Sequence, residues 1–435
     1  MRRNRVALLV ALGVDNLGSG SFLPVTLLYV TRVVGLPLAV AGTVVAAGTV
    51  AGLGVPVVAG RLTDRIGPLR VVVGAEVLQA LGAIGYLAAR GTAEVAVAAA
   101  LLGAGQQLFY SSLFALIADV AGDGPKDRPF AVAGMIRSAC FSVGGLITGG
   151  LLTLAGPVGY RIAVVADAAS FVVCALLLAV LVRVPRPVHR DPGRDPGRRP
   201  GGGLERRGAG VGADVRTRPG GPLSDRPFLA LIAAISLVTL AGDFFLSGMS
   251  VYVLGELHSR PWLPGAALAV SAGMSGAGAT VALRATRGLR RTTAIALGAW
   301  LYVAWCGACL AALAVPPGWR PAELLAATVV MGTAGLLLQR ANALAEAVAP
   351  TAVRGRYLAA FQYAFTVAGV IAPALVALYS VAVWLPWLLV GACAAMSAVV
   401  MRWLAPRLPA TAMGGKGSYT EPARPGSAAG PSARV

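Results

Sequence analysis

Two residue types that catalytic and metal centres draw on are almost missing from this chain, which has only two histidines, His189 and His258, and two lysines, Lys126 and Lys416. No H-E-x-x-H pattern can be formed from them, and a membrane hydrolase or metalloenzyme is unsupported. Neither lysine completes G-x-x-x-x-G-K-[ST], since Lys126 follows Pro125 and Lys416 precedes Gly417, and ATP is therefore no internal fuel. The five cysteines (Cys140, Cys174, Cys306, Cys309 and Cys393) all fall inside apolar runs, which argues against a disulfide framework and against a metal pair at Cys306/Cys309. Charge is scarce as well, at 13% of residues. These absences point away from an enzyme and away from any cofactor.

What is present is apolar. Of 435 residues 57% are hydrophobic, with a mean hydropathy of +0.75; soluble chains hold roughly 45–50%. Most of the 56 glycines sit within the apolar runs, where membrane helices tolerate them. Such runs fall at about 6–30, 38–59, 69–89, 94–119, 129–154, 158–182, 227–254, 262–283, 292–315, 322–348, 355–380 and 382–404. At about 20 residues per crossing, the expected fold is an all-α polytopic membrane protein with twelve transmembrane helices. The first run carries Asp15 and has no small-residue cleavage site, so it reads as a retained helix and not a leader.

The net charge of +19 invites a nucleic-acid reading, but the placement of the charge opposes it. Thirty of the 37 basic residues fall at the ends and in alternate loops on one side of the predicted bundle, against five on the other. By the positive-inside rule both termini are expected in the cytoplasm of a multi-pass plasma-membrane protein, with the lipid bilayer as partner and no nucleic acid. The chain divides into a six-helix half at 1–182, a linker at 183–226, a second six-helix half at 227–405 and a tail at 406–435. The linker repeats Arg-Asp-Pro-Gly and then runs into glycine and arginine, a composition that cannot bury a core. An internal echo accompanies the division: Asp15-x-x-x-Ser19-Gly20 returns as Asp243-x-x-x-Ser247-Gly248, and Ala115–Val120 returns as Ala343–Val348. Parallel six-helix repeats are one known transporter plan, with the substrate site at mid-membrane between the halves.

Between the second and third segments the chain reads Gly60-Arg61-Leu62-Thr63-Asp64-Arg65-Ile66-Gly67-Pro68-Leu69-Arg70. This resembles the loop signature of the major facilitator superfamily, G-x-L-x-D-R-x-G-x-x-R, and the likeness in plan covers residues 1 to about 405. Gly60 and Gly67 suit a close helix approach and a tight turn, and Asp64 suits a facing helix N-terminus. The resemblance implies a cytoplasmic gate built from Gly60, Asp64, Arg65, Gly67 and Arg70, with Asp119 pairing with a loop arginine. Asp15 to Pro24 resembles the first-helix pattern of the drug-exporter branch. Gly145-Leu146-Ile-Thr-Gly149-Gly150 resembles the antiporter signature G-P-x-x-G-G, with leucine in place of proline.

An ionisable group in hydrocarbon costs at least about 2.5–3.5 kcal/mol on insertion scales, so each is a candidate. Asp15, Asp243, Arg137, Gln107 and Tyr110 are the expected proton and substrate residues. For Asp15 the alternative is a capped or water-exposed carboxylate packed against Arg137; for Arg137 it is a counter-ion, an anion binder or a structural ion pair. Glu76 and Asp167 lie on helices that are peripheral in the resembled family, and structural pairing is expected for both. Tyr252, Tyr302, Trp300, Trp305, Gln362 and Tyr363 serve either as lining or as interface anchors. The expected function is secondary transport, with a small amphipathic molecule as substrate, protons as coupling ion, export as direction and a monomer as the unit. Uptake or uniport, or a non-transporting membrane scaffold or receptor, are the alternatives.

Overall fold

The computed structural model describes residues 2–121, 127–182, 222–285, 288–350 and 354–409. Among these every regular element is helical. The helices are α1 (Arg3–Val34), α2 (38–66), α3 (Pro68–Ala88), α4 (Thr92–Ala121), α5 (Asp127–Ala155), α6 (Pro157–Leu181), α7 (Arg226–Glu256), α8 (Leu263–Ala285), α9 (Arg291–Ala311), α10 (Arg320–Val348), α11 (Arg354–Ala377) and α12 (Leu385–Leu404). Ten are long and apolar enough to cross a membrane. The expected second and eighth crossings are the exceptions, with shorter apolar stretches at Leu38–Gly54 and Leu263–Met274. In α2 the cause is visible in sequence, because the helix continues as Val55–Ile66 into the polar motif and carries three charged residues there. The expected linker and tail fall largely at 183–221 and 410–435, outside the described residues.

Local chemistry sets the helix ends. Proline sits in the first turn of α3, α6, α7, α10 and α12, where its missing N–H costs nothing. Asp225 caps α7, accepting from the Phe228 amide at 3.2 Å. Gly67 joins α2 to α3 at φ +85°, a left-handed conformation that favours glycine.

In the first set α1 packs on α5 and α6, α3 on α4 and α6, and α2 on α4; in the second, α7 packs on α11 and α12, α9 on α10 and α12, and α8 on α10. The two sets meet through α2 against α11 and α5 against α8. Small residues make both contacts close. A Cβ on Gly42 would lie 2.5 Å from the Pro373 carbonyl oxygen, and one on Gly265 would lie 2.5 Å from that of Gly145. Ser142 Oγ donates to the Leu268 carbonyl at 3.3 Å, and Arg32 donates to the Leu254 carbonyl at 2.8 Å. All of these lie toward the end of the bundle remote from the chain termini. Among the described residues no comparable contact joins the sets at the end that carries the termini.

A structural repeat relates the sets. Tyr29 on α1 donates to the Tyr86 carbonyl on α3 at 2.9 Å, and Tyr252 on α7 donates to the Cys309 carbonyl on α9 at 2.6 Å. In each pair donor and acceptor are 57 residues apart. Both α1 and α7 end in a π turn, Val30–Val34 and Tyr252–Glu256. The two tyrosines, and the starts of α3 and α9, are 223 residues apart. Asp243 lies 228 residues after Asp15, five beyond the matching place, Val238. At 1.5 Å and 100° per residue that is about 7.5 Å of depth and about 140° around the helix. The echo between Asp15 and Asp243 is thus not a structural equivalence. The Ala115–Val120 echo is in register, since α4 and α10 start 228 residues apart.

Candidate functional site

Asp15 is buried where glycines bring α1 against its neighbours. A Cβ on Gly18 would overlap Ser170 of α6, and one on Gly20 would lie 1.9 Å from the Phe141 carbonyl oxygen of α5. The Asp15 side chain, 5% exposed, accepts a bond from Asn16 Nδ2 at 2.8 Å, while Asn16 also donates to the Leu12 carbonyl. Arg137 of α5 lies near enough to act on Asp15 electrostatically, and its guanidinium carbon stands 4.7 Å from the centre of the Tyr110 ring on α4. Arg137 Nε has no hydrogen-bond partner, and among the described residues the two groups form no contact ion pair. A closed structural pair is therefore not what the geometry holds. Tyr110 is 36% exposed, the most accessible member of this group. Gln107, one turn earlier, lies against α2, its Cγ 3.2 Å from where a Cβ on Gly52 would be.

Asp15, Arg137 and Tyr110 thus form one group, with Gln107 on the adjoining turn of α4. Asp243 does not join it. On α7 it is half-buried, with Oδ2 facing Gly369 of α11 and Tyr302 of α9 nearby. Tyr252, Tyr302 and Trp305 are 3% exposed or less and belong to the core, whereas Trp300 and Gln362 are exposed and Tyr363 is half-buried.

In the gate motif, the Thr63 and Ser112 hydroxyls meet at 2.9 Å and tie α2 to α4. The space around Gly60 is open, so the close approach expected there is not made in this conformation. The Asp64 side chain lies outside the described residues. Arg65, Arg70 and Asp119 are exposed, and among the described residues Asp119 makes no ion pair with a loop arginine. The end of α4 is held instead by Arg5, which donates to the Val120 and Ala121 carbonyls. Nothing in the sequence singled Arg5 out beyond its place among the first positive charges.

The expected structural pairing of Glu76 and Asp167 is absent. Glu76 is 0% exposed and Asp167 2%, yet no arginine or lysine among the described residues pairs with either. Glu76 Oε1 accepts from the Cys174 thiol at 3.2 Å, while among the described residues Glu76 Oε2 and Asp167 Oδ1 have no hydrogen-bond partner.

The sequence profile of the Major Facilitator Superfamily matches residues 8–306. Among solved structures the fold is similar to that of the nucleoside transporter NupG, at TM-score 0.69 and 11% identity, with 92% of this chain and 99% of that one covered. It is similar to a peptide transporter of the POT type at TM-score 0.69 and 16% identity, covering 95% and 96%. A bacterial homologue of the iron transporter ferroportin, solved in an inward-facing state, aligns at TM-score 0.67 and 14% identity, covering 93% and 99%. A comparison with curated proteins finds no match.

Proposed function

The chain belongs to the major facilitator superfamily, and from that premise we propose that it is a proton-coupled exporter of a small amphipathic molecule, working as a monomer in the plasma membrane with both termini in the cytoplasm. The observation that carries the reading is the one-ended contact between the helix sets. With the termini inside, the bundle is sealed toward the outside and open toward the cytoplasm, the conformation in which an exporter takes up its load. Asp15, with Arg137 and Tyr110 beside it, supplies the titrating carboxyl within the first half. Asp243 supplies a second carboxyl in the other half. The solved neighbours are named for unrelated cargoes, so the substrate class rests on the first-helix likeness to drug exporters. The segment at 183–226 acts as a tether between two halves that rock against each other.

A second reading is uniport, favoured by Leu146. The antiporter signature has proline there, and in this chain α5 runs unbroken from Asp127 to Ala155. One experiment separates the readings. Proteoliposomes loaded with a pH dye are given a panel of fluorescent amphipathic cations under an imposed pH gradient. Proton movement opposite to that of the dye cation supports exchange. Cation flux without a pH change supports uniport, and no flux of any compound leaves the scaffold reading.

A further inference from the structure

Charge is unbalanced inside the first helix set. Asp15 of α1, Glu76 of α3 and Asp167 of α6 lie within electrostatic reach of one another, and all are at least nine-tenths buried. The described basic group that reaches this cluster is Arg137, and it stands beside Asp15. A single guanidinium cannot balance three carboxylates, and a buried carboxylate without a partner is resolved by taking up a proton. Glu76 is the most deeply buried member. The groups facing it are Asp15 from α1, Tyr110 from α4, and Asp167 and Cys174 from α6, all of them acids or neutral groups. Its Oε2 is fully enclosed and unpartnered, while Oε1 accepts from the Cys174 thiol. That pattern fits a neutral carboxyl group with its C=O on the thiol and its O–H on Oε2.

We propose that Glu76 is a second proton-binding site, a store behind α1 that exchanges its proton through Asp15. Glu76 has no exposed surface, so a proton reaches it by way of a neighbouring titratable group. Asp15 is the member of the cluster beside Arg137, which stacks on Tyr110, and Tyr110 is exposed. In the transfer the O–H bond on Asp15 breaks as the O–H bond on Glu76 forms, and the charge left on Asp15 faces the Arg137 guanidinium. The proposal deepens the proton-coupled reading of the Asp15 site and rests on it only for its use in transport.

Infrared spectroscopy of the purified protein in lipid tests the store without any substrate. At neutral pH a protonated-carboxyl stretch is expected in the native protein and a loss of part of it in Glu76→Gln. Cys174→Ala, which leaves the acid in place, should move the remaining band to higher frequency because the C=O loses its donor. In D2O the Glu76 band should shift as the proton exchanges, and Asp15→Asn should slow that shift several-fold. An unchanged carboxyl band in both Glu76→Gln and Cys174→Ala overturns the site. A band that never exchanges, or exchanges equally fast in Asp15→Asn, overturns the store. These outcomes stand apart from the flux assay, where failure of proton movement would reject coupling while leaving the protonated Glu76 in place.

Discussion

Asp15 combines burial, a local amide partner and a nearby guanidinium that makes no contact ion pair with it among the described residues, which suits a group that changes charge. Asp15→Asn keeps the shape and hydrogen bonding, so insertion and substrate binding should persist while proton movement on substrate addition in dye-loaded proteoliposomes is abolished. Undiminished proton movement would reject the assignment. Beside it, the contact between α1 and α5 is a pair of reciprocal glycines. A Cβ on Gly20 meets the Phe141 carbonyl oxygen at 1.9 Å, and a Cβ on Gly144 meets that of Leu17 at 2.1 Å. Gly20→Val forces backbone apart and should cost about 1–3 kcal/mol, read as a lower melting temperature in detergent; an unchanged melting curve would show that the helices separate freely. At this scale the sequence was informative about type and silent about company. Asp15, Arg137 and Tyr110 were legible as polar residues in apolar runs and the structure groups them, but Glu76 and Asp167 read as peripheral because helix position says nothing about which face a side chain takes.

Elements decide how the halves engage. Segment boundaries were readable to within a few residues, as the Pro-led starts of α3, α6, α7, α10 and α12 show. Register was not. The Asp-x-x-x-Ser-Gly echo suggested matched depths for Asp15 and Asp243, whereas the tyrosine-to-carbonyl bonds place the match five residues away. Six letters on a helix carry less information than two hydrogen bonds between helices. The α5–α8 seam depends on backbone contact at Gly145 and Gly265. Gly265→Val should wedge the seam and populate the conformation open at the end remote from the termini. Labelling of a cysteine introduced at the seam by a membrane-impermeant maleimide would report it, with labelling expected to rise several-fold and transport to fall. Labelling equal to that of the unwedged protein would mean that the seam is not the closing surface.

For the whole molecule, the arrangement described is one of two that a rocking carrier needs. Among the described residues no helix contact joins the two sets at the end that bears the gate motif, and the space around Gly60 is open. Asp64→Asn should therefore leave the present conformation intact and penalise the opposite one. The expected result is a large loss of transport rate with normal expression and thermal stability, and a full rate would remove the gate from the mechanism.

Arg32 stands where α1 and α7 come together at the end where the two sets meet, its guanidinium anchored on the Leu254 carbonyl and reaching the Tyr160 hydroxyl at 3.4 Å. A carrier at rest must also be an insulator, or it would dissipate the ion gradients of the membrane around it. The contact surface that includes Leu254 mixes glycine and proline, among them Gly20, Pro24, Gly149 and Gly265, with serine, threonine and aliphatic side chains, and carries no charge of its own. A fixed positive charge at that mouth repels protons and metal cations by field alone, whatever the momentary tightness of the packing. Removing it in Arg32→Gln should raise the substrate-free proton leak of energised proteoliposomes several-fold, and a leak no greater than that of the native protein would show that packing by itself keeps the membrane insulated.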